Sequence, residues 1–86
     1  MVTKSVTFNC DASLQLKAVA VLIQKASTFR SSIWLSKGER RANAKSMLGI
    51  MSLGIENGTD LTISTEGADE ADALLTISSY LSCPEF

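Results

Sequence analysis

The middle of the chain reads Lys45-Ser46-Met47-Leu48-Gly49-Ile50-Met51-Ser52-Leu53-Gly54-Ile55. Ser46 stands where a serine hydroxyl can cap the first N–H groups of a helix, and Gly54 stands where a short helix can end. The residues between them are apolar on nearly all sides of that helix, which is more than one buried face requires. The stretch therefore predicts a short helix that buries one side and keeps further apolar side chains on its surface.

Sequence patterns on both sides of this helix predict a small α+β protein. Runs of β-branched or alternating apolar residues indicate strands, and apolar residues at helical spacing indicate helices. The predicted elements are a strand over 2–8, a helix over about 15–27, a hairpin over 32–44 that turns at Lys37-Gly38-Glu39, the short helix near 46–54, a strand over 60–65 and a helix over 67–82. The order βαββαβα predicts a four-stranded antiparallel sheet with three helices on one face, in a single domain over residues 1–86.

The chain contains no histidine, and this excludes several kinds of chemistry. Without an imidazole there is no Ser-His-Asp or Cys-His catalysis and no usual zinc site, so enzymes that need these groups are excluded and no metal or other cofactor is expected. Cys10 and Cys83 lack the spacing of a metal site. They are expected to be free thiols, although a bridge between the first strand and the last helix is geometrically possible.

Basic and acidic residues are unevenly distributed along the chain. Residues 1–45 carry eight bases and two acids, whereas residues 46–86 carry seven acids and no base. The two halves either match each other inside the fold or leave a basic face for an acidic partner or a phosphate. Because the net charge is −1 and no basic run is interleaved with aromatic residues, direct nucleic-acid binding is not expected. No apolar run could span a membrane and no signal peptide is recognisable, so we expect a cytoplasmic location.

Two stretches of the chain carry a family resemblance: Asn43-Ala44-Lys45-Ser46-Met47-Leu48-Gly49-Ile50-Met51-Ser52-Leu53-Gly54-Ile55 and Gly67-Ala68-Asp69-Glu70-Ala71-Asp72-Ala73-Leu74. They closely resemble the HPr phosphocarrier proteins of the bacterial sugar phosphotransferase system. The similarity extends over nearly the whole chain in length and in the order of predicted elements. It implies the fold of that family, an open-faced β-sandwich, which agrees with the order predicted above.

The first helix departs from this family at the position where phosphate is carried. Family members have a Gly-Ile-His-Ala-Arg-Pro-Ala type segment, whose histidine accepts phosphate from phosphoenolpyruvate through the first enzyme of the system. Here the corresponding stretch is Ser13-Leu14-Gln15-Leu16-Lys17-Ala18-Val19. Gln15 replaces the histidine, and its amide nitrogen is not a usable phosphoryl nucleophile. Lys17 keeps a charge but loses the planar fork with which arginine grips phosphate, so we expect a degenerate phosphocarrier site at Gln15 and Lys17.

A glutamine in place of the histidine, beside an intact serine motif, is similar to the Crh branch of the family, which acts in carbon catabolite repression. That resemblance implies that HPr kinase/phosphorylase phosphorylates Ser46 and that the phosphoprotein is a corepressor of CcpA, a LacI-type regulator. Lys17 and Ala18 replace the Arg-Pro that this branch retains. The alternatives are therefore a diverged paralogue that regulates a metabolic enzyme or a sugar-transport component, and a phosphotransfer protein with another acceptor such as Cys10. Members of this branch can exchange the first strand, so a monomer or a strand-swapped homodimer is expected.

The surroundings of Ser46 predict where a partner binds. Phosphorylation would place a dianion at a helix start, whose N–H groups and dipole favour anions, so the fold should stay intact while the surface changes. Lys45 next to it, and Lys17 if the first helix packs alongside, could share that charge. Apolar residues complete the expected partner-binding surface: Met47, Leu48 and Met51 of the short helix, extended by Leu14 and Leu16 of the first helix.

Overall fold

A four-stranded antiparallel sheet forms one layer of the protein, seen in a computed structural model that describes residues 1–84. Its strands are β1 (Val2–Thr7), β2 (Ser32–Lys37), β3 (Arg40–Asn43) and β4 (Asp60–Glu66). They lie in the order β1-β4-β2-β3, so β1 and β3 are the two edges. β4 pairs with β1 and β2 at once, and Ile63 lies opposite Lys4 on one side and Leu35 on the other.

Three α-helices pack on this sheet: α1 (Gln15–Ser27), α2 (Met47–Leu53) and α3 (Glu70–Ser82). A short 3-10 turn, Ala12–Leu14, leads into α1. Burial alternates along the strands, because successive side chains of a strand point to opposite faces of the sheet. In β4, for example, Leu61, Ile63 and Thr65 are buried under the helices and the residues between them are only half-buried. The α+β fold and the order βαββαβα are therefore confirmed.

The hydrophobic core fills the space between the sheet and the helices. Its largest fully buried apolar side chains are Phe8, Leu22, Ile33, Leu35, Ile50, Leu61, Ile63, Ile77 and Leu81. Tyr80 joins two of the covering helices, since its hydroxyl donates to the carbonyl oxygen of Ala18 at 2.8 Å. Among residues 1–84, no helix is long and apolar enough to cross a membrane.

β1 is shorter than the sequence predicts, although its continuation is still buried. The strand ends at Thr7, and Phe8 leaves the ladder with β4. The Phe8 N–H donates to the carbonyl oxygen of Thr59 at 2.8 Å, and its carbonyl oxygen accepts from the N–H of Gly58 at 2.7 Å. Loop contacts replace sheet contacts here, so the ring of Phe8 reaches the core from outside the strand.

α3 begins three residues later than the sequence predicts, at Glu70 rather than Gly67. Asp69 was expected inside the first turn, but its carboxylate is used to hold the segment before β2. It accepts from the N–H of Arg30 at 3.0 Å, from the N–H of Ser31 at 2.9 Å and from the Ser31 hydroxyl. These hydrogen bonds join the residue before α3 to the segment before β2.

Candidate functional site

Ser46 lies at the N-cap of α2 and is half-buried. Its backbone is extended (φ −108°, ψ 113°), which is the usual conformation of an N-cap residue. The Ser46 hydroxyl oxygen accepts a hydrogen bond from the N–H of Gly49 at 3.2 Å. A hydroxyl has one proton to donate and two lone pairs, so this contact leaves the oxygen able to make a further bond.

The loop before α2 fixes the position of this serine. Asn43 ends β3, and its side-chain oxygen accepts from the N–H of Lys45 at 2.8 Å. The backbone carbonyl of Asn43 accepts from the N–H of Ser46 at 3.0 Å, and the Ser46 carbonyl accepts from the N–H of Ile50 at 3.0 Å. A turn closed by Asn43 thus places Ser46 directly before the first turn of the helix.

α2 keeps apolar side chains on its surface, as its sequence predicts. Ile50 and Leu53 are buried, whereas Leu48 is 78% exposed, Met51 58% and Met47 42%. A helix of seven residues on a sheet edge has only one side to bury, so the other apolar side chains remain in contact with solvent. These three residues flank Ser46 or lie one turn beyond it.

The start of α1 carries the two other apolar residues of the predicted surface. Leu16 is 68% exposed and Leu14 is 41% exposed. Leu14 is the N-cap residue of α1 and provides no side-chain cap. Asp11 and Ser13 are residue types that often cap helices, but here they bond to each other, with the Asp11 carboxylate accepting from the Ser13 N–H and hydroxyl, both at 2.9 Å. These hydrogen bonds hold the pKa of Asp11 below its usual value.

A cleft of about 260 Å³ separates α1 from α2 and brings the two helices into one surface. Gln15 and Leu16 line its α1 side, and Met51 lines its α2 side. Its remaining lining residues are Val19, Ile50, Gly54, Ile55 and Glu56. Gln15 therefore lies beside Met51, one of the exposed residues of α2. We call Leu14, Leu16, Met47, Leu48 and Met51 the apolar patch.

Two lysines near this patch are held by carbonyl groups. The Lys45 ammonium donates to the carbonyl oxygen of Phe29, just after α1, at 2.8 Å. The Lys37 ammonium donates at 2.7 Å to the carbonyl oxygen of Gly54, the residue that ends α2 with φ +75°. Lys45 was expected to share the charge of a phosphate on Ser46, and in the structure its ammonium is bound to Phe29. Lys17 is exposed on α1 and makes a contact of its own.

The sequence does not predict the cleft or the part that Val19, Ile55 and Glu56 take in it. Val19 of α1 lines the cleft together with Ile55 and Glu56, which follow α2. No local pattern marks them, because they meet only when α1 and α2 pack side by side. Within residues 1–84, no group of three or more histidine, cysteine or acidic residues is placed to hold a metal ion.

The site thus combines a serine at a helix start, a glutamine at the start of a neighbouring helix and exposed apolar side chains around both. The family model described as the PTS HPr component phosphorylation site matches residues 2–82. The chain belongs to this HPr family.

Individual relatives agree with this assignment. HPr-like protein Crh from Bacillus subtilis (strain 168) is 36% identical over 81 residues, which cover 94% of this chain and 95% of the relative. Among solved structures, the phosphocarrier protein HPr from Bacillus anthracis str. Ames superposes with a TM-score of 0.88 and 39% identity, covering 93% of this chain and 95% of that one. Crh from Bacillus subtilis, described as a domain-swapped intertwined dimer, gives a TM-score of 0.72 and 33% identity over 88% of this chain and 83% of that one. The chain is a Crh-like member of the HPr family.

Proposed function

We propose that this chain is a regulatory protein of carbon catabolite repression in the cytoplasm and not an enzyme. HPr kinase/phosphorylase phosphorylates Ser46, and the phosphorylated protein acts as corepressor of a CcpA-type regulator of the LacI family. The observation that carries the proposal is the position of Ser46 at the N-cap of α2, with Met47 and Leu48 exposed immediately beside it. The partner protein binds this surface directly. The chain itself binds neither nucleic acid nor a membrane.

A phosphate fits this position for physical reasons. It would add a charge of about −2 and three acceptor oxygens at a helix start, where free N–H groups and the helix dipole favour an anion. The backbone of α2 is already capped and needs no rearrangement. Phosphorylation therefore changes the surface more than the fold, and the apolar patch supplies contact area beside the new charge.

Histidine-type phosphate transfer is absent from the proposed activity. Gln15 stands at the start of α1, and the lone pair of its amide nitrogen is delocalised into the carbonyl. Lys17 is a point charge, whereas an arginine would grip phosphate with two parallel hydrogen bonds. We expect no radiolabel on the wild-type protein after incubation with phosphoenolpyruvate and the first enzyme of the phosphotransferase system.

Intact-mass spectrometry after incubation with HPr kinase and ATP tests the first step. The wild-type protein should gain one phosphate, and the Ser46→Ala variant should gain none. Ser52→Ala is the matched control, because Ser52 lies exposed on the same helix and its loss should leave phosphorylation unchanged. An unmodified wild-type protein would contradict the proposal.

Binding to a purified CcpA-type regulator tests the second step. The phosphorylated protein should bind, and the unphosphorylated protein should bind at least about tenfold more weakly, because the charge-assisted hydrogen bonds of the phosphate are then missing. Leu48→Ala should weaken binding of the phosphoprotein. Leu75→Ala is its control, since Leu75 is a similarly exposed leucine (63% against 78%) on α3.

A diverged paralogue that regulates a metabolic enzyme or a sugar-transport component is the second candidate. It is favoured by the exposed residues Leu16 and Lys17, which stand where the family segment has Ala and Arg. These two residues change the part of the surface nearest to Gln15. In that case the chain would fail to bind the regulator in either state, and Leu16→Ala would weaken binding to the enzyme or transport component instead.

We propose a monomer or a strand-swapped homodimer as the assembly state. β1 is an edge strand at the start of the described chain and pairs with β4 alone, so two copies can exchange it without altering the rest of the sheet. Sedimentation velocity over a range of concentrations distinguishes the two forms. A tetramer or larger species would contradict both.

A further inference from the structure

Two cysteines lie where the loop after β1 meets the end of α3. Cys10 belongs to the loop between β1 and the 3-10 turn and is half-buried, and Cys83 directly follows α3 and is exposed. Both are free thiols in the structure. Neither takes part in the site around Ser46.

Asn9 brings these two segments together. Its N–H donates to the carbonyl oxygen of Leu81 at 3.4 Å, and its side-chain amide donates to the carbonyl oxygen of Ser82 at 3.2 Å. Cys10 follows Asn9 and Cys83 follows Ser82, so each cysteine comes directly after a residue of this hydrogen-bonded pair. The Cα atom of each cysteine therefore lies about 3.8 Å from that of its hydrogen-bonded neighbour. A disulfide needs its two Cα atoms about 4.4–6.8 Å apart.

Tyr80 gives a second indication that the two cysteines are neighbours. Burial raises the pKa of Tyr80 to about 12, and the charge of the Cys10 thiolate adds to this shift. Cys83 lines the same cleft of about 380 Å³ as Tyr80. Its backbone (φ −151°, ψ 78°) is extended, so its side chain is not tied to the helical direction of α3.

We propose that Cys10 and Cys83 form an intramolecular disulfide when the protein meets a small-molecule disulfide such as oxidised glutathione. The bond pins the segment after β1 to the end of α3. Exchange of β1 between two copies would carry Asn9 and Cys10 away from the α3 of their own chain. The oxidised protein is therefore a monomer with β1 locked into its own sheet, and the cysteine pair is a redox-sensitive lock on strand exchange.

The reaction proceeds in two exchange steps. The exposed thiolate of Cys83 attacks one sulfur of oxidised glutathione, which forms a mixed disulfide and releases one glutathione thiolate. Cys10 then loses its proton to solvent and attacks the Cys83 sulfur, which releases the second glutathione thiolate. Burial raises the pKa of Cys10, which places it second in this order. Two protein thiols are oxidised while one oxidised glutathione is reduced to two thiols.

Intact-mass spectrometry of the full chain, reduced and then treated at low protein concentration with oxidised glutathione, tests the proposal. We expect a mass lower by two hydrogen atoms, no bound glutathione, and a proteolytic map that links the Cys10 and Cys83 peptides. Cys10→Ser and Cys83→Ser are the matched controls. With its resolving partner removed, the Cys10→Ser variant should retain one glutathione on Cys83.

A thermal melt supplies a second, independent measurement. The oxidised wild-type protein should unfold at a temperature higher by about 5 °C or more than the reduced protein, because the bridge closes a loop of most of the chain and restricts the unfolded state. The oxidant should not raise the melting temperature of either Ser variant. Wild-type protein that keeps glutathione on both thiols, or that forms mainly a covalent dimer, would overturn the proposal.

Discussion

Ser46 stabilises α2 before any modification takes place. Replacing Ser46 with Ala removes the acceptor for the Gly49 N–H, and we expect this to lower the free energy of unfolding by about 1 kcal/mol. Ser46→Asp keeps an oxygen at the cap, so its cost should be a few tenths of that value. Urea denaturation measures both variants, and an Ala variant as stable as wild type would contradict the cap.

Asp69 makes the stability of the protein depend on acid pH. The Ser31 hydroxyl, followed by the N–H of Arg30, lowers the pKa of Asp69 from 3.8 to about 2. Because the folded pKa lies below the unfolded one, the stabilisation is complete above pH 3.8 and is lost as the pH falls toward 2. The ionised carboxylate, and not the acid, is the form that the fold favours.

The Asp69→Asn variant isolates this contribution from other carboxylates. Its deficit in unfolding free energy relative to wild type should be largest near neutral pH and should shrink between pH 3.8 and about 2. Chemical denaturation at a series of pH values gives the difference curve. A deficit that stays constant over this pH range would show that folding does not change the pKa of the Asp69 carboxylate.

At the scale of the elements, the junction between β4 and α3 accepts only glycine. Gly67 has φ +147°, and a Cβ placed there would lie 2.7 Å from the Ser31 hydroxyl oxygen and 2.8 Å from the Ser31 Cα. The segment before β2 cannot move away without breaking the hydrogen bonds of Ser31 to Asp69. The turn and the close contact therefore depend on the same residue.

We expect Gly67→Ala to lower the free energy of unfolding by about 3 kcal/mol, from backbone strain and overpacking together. Gly38→Ala is the matched control, because Gly38 has φ +61° but nothing within 4 Å of the added Cβ. Its cost should be about 1 kcal/mol, from the backbone alone. If denaturation showed the same loss of unfolding free energy for both variants, the contact with Ser31 would add nothing to the backbone strain.

Helix ends also show where local sequence is a reliable guide. α2 begins at a serine cap and ends at a glycine with positive φ, and both signals are visible in the sequence. The start of α1 misleads, because Asp11 and Ser13 look like caps and instead close the turn before the helix. A short polar side chain can serve either purpose, and only the path of the backbone selects between them.

For the whole molecule, stability depends on the central strand β4. Ile63 is fully buried between the sheet and the helices, and Ile63→Ala should cost about 3 kcal/mol through lost burial and the cavity left behind. Leu75→Ala removes an apolar side chain that is 63% exposed, and it should change stability by about 0.5 kcal/mol at most. If thermal or urea unfolding showed comparable losses of stability for the two variants, the assignment of the core would be contradicted.

Charge at this scale bears on the two alternatives that the uneven sequence leaves open. Several bases of the first half bind neutral groups: Lys37 and Lys45 bind carbonyl oxygens, and the Arg41 guanidinium lies 4.2 Å from the centre of the Trp34 ring. These contacts join β2 and β3 to each other and to the helix ends. For these three bases, the partner in the fold is a neutral group and not an acid of the second half.

The amino-acid sequence by itself determined the order of elements, the face that each strand buries and the serine at the start of α2. These properties are local, since they follow from hydrophobic periodicity, turn residues and caps within a few positions of the chain. The exclusion of histidine-dependent catalysis likewise follows from composition alone.

The tertiary structure alone decided which distant residues meet. It placed Gln15 and Leu16 beside Met51, bound the Lys45 ammonium to Phe29, and joined Asp69 to Ser31. Each of these contacts joins segments between 16 and 38 residues apart, and no local pattern specifies a partner at that distance. Packing of the helices on the sheet fixes them, because only the folded chain brings those segments within reach.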